Sequence, residues 1–192
     1  MKPVIIGLGH EKGVGKDQLA TFTISYLRSA TKNLRIVRRG FVEEAYNFLH
    51  TMYGWAGFDT YQYYVANPSA KERVLPLLGK TPRSLVIELG ILTRQIDINF
   101  WLNGNLRRDD YDILFVSDLR YPIEFDGMEA LGAHLIRIHR PGFPIYRDEP
   151  DDALLPYKDR WHEQFDNSGS LSDLHAYAQK LGDRILMGKL KS

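Results

Sequence analysis

The stretch Gly9-His10-Glu11-Lys12-Gly13-Val14-Gly15-Lys16-Asp17 holds the residue types that a polyphosphate requires. Glycines let the backbone turn tightly so that N–H groups point inward, a helix beginning behind the turn adds positive potential, and Lys16 can bridge the outer phosphates. Against the pattern G-x-x-x-x-G-K-[ST], His10 stands at the first glycine with Gly9 beside it, and Asp17 replaces the hydroxyl residue that would meet magnesium. Lys12, Gly13, Val14, Gly15, Lys16, Asp17 and Gln18 are therefore candidate nucleotide contacts; the plainer alternative is a glycine-rich strand-to-helix turn with a solvated lysine. Asp118 follows the apolar run Ile113–Ser117, so a parallel strand would deliver its carboxylate to the sheet end where ligands sit. There it could hold magnesium directly or through water, and Arg120 could reach a phosphate. A surface Asp-Arg pair capping the next helix is the alternative.

The elements that must position these groups alternate between strand and helix. Val4–Leu8 is a short unbroken apolar run, as expected of a strand buried on both faces. Lys16 to about Ala30 has helical periodicity in Leu19, Phe22, Thr23 and Tyr26. Leu34–Val37, Ile113–Ser117 and Leu135–Ile138 read as further strands, with His162–Asp166 a weaker fifth. Ser170 and Asp173 resemble a capping box for a last helix ending near Met187. This order predicts an α/β fold with a parallel sheet of about five strands flanked by helices. It also predicts one domain over 1–192, with its core near 1–40, 110–140 and 161–192. A helical insertion spans about 41–109, where Leu85, Val86, Leu89, Leu92 and Ile96 share a face behind Pro82. A lid loop is expected over about 139–160, a stretch that holds four of the nine prolines.

Composition narrows the partners. The chain has 192 residues, 44% hydrophobic and 26% charged, which excludes disorder. Twenty-five Lys and Arg against 24 Asp and Glu leave a net charge of +1, so no broad basic face invites nucleic acid. No cysteine is present, ruling out disulfides and thiolate metal sites, and no run reaches the ~18 apolar residues of a membrane span. The expectation is a soluble, cytoplasmic protein with no membrane partner. His50, His134, His139, His162 and His175 show no metal-ligand spacing and read as structural or surface residues. Tyr46, Phe48, Tyr53, Trp55, Phe58, Tyr61, Tyr63 and Tyr64 crowd one stretch, for core packing, a dimer interface or stacking on a base.

Several blocks together resemble the bacteriophage deoxynucleoside-monophosphate kinases of the wider P-loop nucleotide kinase group. They are Gly13-Val14-Gly15-Lys16-Asp17, Thr81-Pro82-Arg83 with Leu89-Gly90, Asp118-Leu119-Arg120-Tyr121-Pro122 with Glu124, Leu131-Gly132-Ala133 leading to Ile136-Arg137 and Arg140-Pro141-Gly142, and Asp166-Asn167-Ser168-Gly169-Ser170-Leu171. The resemblance implies transfer of the ATP γ-phosphoryl group to a deoxynucleoside monophosphate, with magnesium, in precursor supply for phage DNA synthesis in a host cytoplasm. It also makes Asp17 a match rather than a departure, and suggests a homodimer. On that reading Lys16 and the loop backbone cradle ATP, Asp17 and Asp118 organise magnesium, Arg83 holds the acceptor phosphate, and Arg120 sits near the transferred group. Arg140 and Arg147 would close over the phosphates, unless they belong to a solvated loop balanced by its own acids. Arg94 is a further phosphate contact or a salt-bridge partner. Arg38 and Arg39 form a basic pair that suits a solvated edge or acceptor binding, and Arg39 and Phe41 stand as substrate-binding candidates. A P-loop kinase for another small acceptor and a non-catalytic nucleotide-binding module remain as alternatives.

Overall fold

The structure is a computed structural model and describes residues 3–11, 13–106, 110–143 and 152–190. Five strands form one sheet: β1 (Val4–His10), β2 (Ile36–Arg39), β3 (Ile113–Leu119), β4 (His134–His139) and β5 (Glu163–Asp166). Their spatial order is β2-β3-β1-β4-β5, and every adjacent pair is parallel. The Val-Ile-Ile run of β1 is unbroken because β1 is central and covered on both faces. On one face, α1 (Lys16–Ala30) and the C-terminal helix α7 (Leu171–Leu186) bury Leu19, Leu27, Leu174 and Leu181 against Ile6, Leu8, Phe115 and Ile136. On the other lies α6 (Pro122–Ala130). A Cβ at Gly7 would stand 2.6 Å from Leu135 and 2.9 Å from Met128 of α6, so glycine is what lets this helix approach the central strand. Ser170 caps α7 as expected: the Asp173 N–H donates to its Oγ at 3.3 Å, and its own N–H donates to Asp173 Oδ2 at 2.8 Å.

Three strands run further than their apolar patterns suggest. β2 lies at Ile36–Arg39 rather than Leu34–Val37, because pairing with β3 continues through Arg38↔Phe115 and Arg39↔Val116. β1 continues to His10 and β3 to Leu119. Within β3 the register slips: Gly7 pairs with Val116 but Gly9 pairs with Leu119. Ser117 and Asp118 together therefore oppose Leu8 alone. Such a bulge, rare between parallel strands, re-aims the side chains at the strand end.

The chain divides into two compact units, residues 1–39 with 106–192, and residues 40–105. The second lies within the region read from sequence as a helical insertion, about 41–109, apart from Gly40. It holds α2 (Phe41–Tyr53), α3 (Tyr61–Ala66), α4 (Pro82–Ile96) and most of α5 (Phe100–Leu106). Its core is largely aromatic: Tyr46 lies 5.2 to 5.8 Å from the rings of Tyr64, Tyr61 and Phe58. Trp55 and Phe48 of the same stretch are exposed. The face expected for α4 needs correction. Leu85, Val86 and Leu89 pack on this core, whereas Leu92 is 57% and Ile96 82% exposed, because the helix presents Thr93 inward instead.

Part of the stretch expected as a lid, 139–160, packs against the sheet-based unit. Leu154 is fully buried, and Arg160 lies over the rings of Phe125 and Tyr157 while binding Asp126 at 2.8 Å and Glu129 at 2.5 Å. The stretch 154–161 is thus docked onto α6.

Candidate functional site

The glycine-rich turn joins β1 to α1. Gly13 and Gly15 adopt left-handed backbone angles, with φ of 76° and 99°, conformations that cost an L side chain strain. Gly9, by contrast, is required by contact: a Cβ there would meet the Trp161 indole at 2.4 Å. Two further anchors hold the turn. Val14 is fully buried in the α1–α7 face of the core, and Asn167, after β5, donates from Nδ2 to the Val14 carbonyl at 2.8 Å. The ring of Phe143 lies beside Gly13, at 3.2 Å from the position of a Cβ. Arg140 stacks on that ring, 4.8 Å from its centre.

Lys16, first residue of α1, is 7% exposed and donates from Nζ to the Glu11 carbonyl. The Glu11 carboxylate is 2% exposed; Arg137 Nη2 lies 3.7 Å from it and His139 Nδ1 3.4 Å. Glu11 stands within the glycine-rich stretch and Arg137 within a block of the resemblance, but sequence reading gives neither a role, and His139 reads as structural or surface. A glutamate in a glycine-rich loop reads as solvated, and only the β1–β4 register, with Gly9↔Arg137, brings the two bases to it.

At the other side of the turn, Asp17 Oδ1 accepts hydrogen bonds from Ser117 Oγ at 2.9 Å and from Arg38 Nη2. Arg38 Nε donates to Ser117 Oγ at 3.2 Å. The carboxyl ends of β2 and β3 and the first turn of α1 thus meet in one closed network. Ser117, 4% exposed, is the hydroxyl that sequence reading missed: it lies on the Ile113–Phe115 face of β3, and only the packing of α1 on that face brings it to Asp17. Asp118 is the next residue and is half-buried. The backbone N–H groups of Arg120 and Tyr121 donate to Glu124 at 3.0 and 3.1 Å, which fixes the start of α6.

Other predicted site residues fall elsewhere. Arg39 is 7% exposed, bonded to both Asp110 oxygens at 2.5 and 2.6 Å and set over the Tyr111 ring, an ion pair whose arginine is buried and whose aspartate is exposed. The solvated edge considered for the same pair fails for Arg39, whose buried guanidinium is held by Asp110 and Tyr111. Phe41 is buried at the start of α2. In the helical unit Arg83 donates to Glu72, and Arg94 lies in the last turn of α4. Gln18 is exposed. Lys12 and Arg147 lie outside the described residues.

As magnesium ligands the two expected carboxylates differ. Asp118 supplies a hard oxygen donor at the end of the strand beside β1, which fits the cation. Asp17 fits less well, because Oδ1 already serves a guanidinium and a hydroxyl and only Oδ2 would be left to the cation. Among the described residues no group of three or more His, Asp or Glu is placed to hold a metal ion.

No family model matches the chain. It is 27% identical over 94 residues to the uncharacterized protein ORF77 of Ictalurid herpesvirus 1 (strain Auburn), a match covering 44% of this chain and 41% of that protein. The chain therefore spans about two fifths of the length of that relative. The crystal structure of APE1195 superposes with a TM-score of 0.47 at 13% identity, over 96% of this chain and 97% of the other. The chain has an α/β fold built on an all-parallel five-stranded sheet. Among the described residues no helix is long and apolar enough to cross a membrane.

Proposed function

We propose that this protein is an ATP-dependent deoxynucleoside-monophosphate kinase. The observation that carries the reading is the turn from central β1 into α1, with glycines at left-handed angles, Lys16 at the helix start and Asp118 at the end of neighbouring β3. Backbone N–H groups at a helix N-terminus favour phosphate, and the crevice outside the carboxyl ends of parallel strands is where such sheets take ligands. The choice of a monophosphate as acceptor comes from the resemblance of the Asp118-Leu119-Arg120-Tyr121-Pro122 and Thr81-Pro82-Arg83 blocks to the phage kinases.

In the proposed reaction an acceptor phosphate oxygen attacks the γ-phosphorus of ATP. The bond from that phosphorus to the β,γ-bridging oxygen breaks, leaving ADP and a deoxynucleoside diphosphate. Catalysis of this kind depends on positioning and charge neutralisation. Lys16 would exchange the Glu11 carbonyl for a phosphate oxygen, moving its charge onto the outer phosphates. Magnesium, when bound, would neutralise phosphate charge, and Asp118 would hold it. Arg140, already beside the loop through Phe143, would add a second cation.

The test is chromatographic detection of diphosphates from ATP, magnesium and a panel of ribo- and deoxyribonucleoside monophosphates. Deoxynucleoside diphosphates formed by the intact protein and not by Lys16→Ala are expected. ATP binding without conversion of any monophosphate would overturn the reading in favour of another acceptor or a binding module.

A further inference from the structure

The residue after the loop lysine is a carboxylate where phosphate loops of this pattern place a metal-binding hydroxyl. Its surroundings argue for a different duty. Asp17 is 71% exposed in its side chain, yet Oδ1 is shared by Ser117 Oγ and Arg38 Nη2, and Arg38 Nε closes the ring onto Ser117. A cation placed on the same carboxylate would stand against the guanidinium at close range, and the two positive charges would compete for one anion. Magnesium also demands near-ideal octahedral oxygen geometry, and with Oδ1 held by two donors Asp17 could offer it only Oδ2, beside the guanidinium.

The same network prepares Arg38 for an anion. Its Nε and Nη2 are committed, its side chain is a third exposed, and Nη1 has no described partner. A planar fork locked at two points has already lost most of its rotamer freedom, so the ordering cost of binding a phosphate is reduced. Ser117 continues the Ile113–Phe115 face of β3 against α1, and it supplies the second lock by accepting from Arg38 Nε while donating to the Asp17 carboxylate.

We infer that Asp17 is a positioning residue that, with Ser117, holds Arg38 as a monophosphate-binding group beside the loop, and is not a ligand of the magnesium that accompanies the nucleotide. The inference rests on the phosphotransferase reading.

Its test uses the full chain and Asp17→Asn, Ser117→Ala, Arg38→Ala, Arg38→Lys and the double variant Asp17→Asn/Arg38→Ala. Two equilibrium readouts are taken: Mn2+ affinity of the ATP complex by electron paramagnetic resonance, and calorimetric binding of dAMP, dGMP, dCMP and dTMP in turn. Asp17→Asn is expected to leave Mn2+ affinity within about twofold while weakening monophosphate binding about tenfold, with the double variant no weaker than Arg38→Ala. Arg38→Lys, which keeps the charge but not the fork, should also lose affinity, and serves if the alanine variant does not fold. A loss of about tenfold in Mn2+ affinity for Asp17→Asn with monophosphate binding intact would make Asp17 a metal ligand and overturn the inference alone. Additive losses in the double variant would overturn it as well. An unaltered chain that binds neither ATP nor any monophosphate would overturn the phosphotransferase reading and this inference with it.

Discussion

The sheet-based unit and the helical unit use their charged residues in opposite ways. In the first, Glu11, Asp17, Arg38 and Arg137 are tied to groups far away in sequence, across strand ends that only the sheet brings together. In the second, ties such as Arg83 to Glu72 and Lys80 to Glu88 lie between residues close in the chain, and both are exposed. Charges fixed by the fold cost ordering once, during folding, and can then act on a ligand without further loss; charges on a solvated helix face must be ordered at each binding event. The sheet-based unit is accordingly the one that carries the candidate site.

That contrast can be broken most forcefully in the two cores. Phe115, fully buried in β3, and Phe58, 1% exposed among the tyrosines, should each cost about 3–5 kcal/mol on replacement by alanine. Hydrogen exchange should show the Phe115→Ala loss in residues 1–39 and 106–192 and the Phe58→Ala loss in 40–105; equal loss of protection everywhere would mean that the units unfold as one. Lys16→Ala should lower kcat/KM for the proposed transfer by about 10²–10³-fold, the scale of removing one preorganised donor. Its urea midpoint should stay near that of the parent. Gly15→Ala places a side chain at φ 99° and a Cβ 2.6 Å from Asn167 Nδ2, and a loss of about 1–3 kcal/mol in urea unfolding is expected.

A smaller effect should follow pH. Burial pushes the Glu163 carboxyl up, but hydrogen bonds from His134, Arg184 and Tyr177 outweigh it and hold the group at about 2, against an ordinary 4.5. An acid held down in the folded state stabilises above its unfolded value, so this contribution is present above pH 4.5 and lost as pH falls toward 2. Thermal melts of Glu163→Gln across that window should show a shallower decline than the parent; identical slopes would remove Glu163 from the acid response. Smallest of all, Arg83→Ala breaks an exposed pair and should change stability by no more than about 1 kcal/mol. Any large rise in KM for a monophosphate in that variant would then report acceptor binding and give the helical unit a share of the chemistry.

Much of the layout was legible in the chain. The ends of α1 and the capping pair Ser170 and Asp173 at the start of α7 are legible because periodicity and capping are local. The α4 face was misjudged at Leu92 and Ile96, since apolar spacing does not say which neighbours exist to cover a stripe. Arg39 was misread because solvation is the default for an arginine at a strand end, and Asp110 enters only through the fold.

The sequence by itself determined the order of elements, the glycine turn and the lysine that follows it, since each is written in contiguous residues whose backbone preferences are intrinsic. Tertiary structure alone decided that Glu11 would be buried against Arg137 and His139. It also decided that β3 would bulge at Ser117 and that Asp17 would face a guanidinium. The physical reason is that charge–charge and hydroxyl contacts across parallel strands depend on register, and a slip of one residue redirects every side chain beyond it.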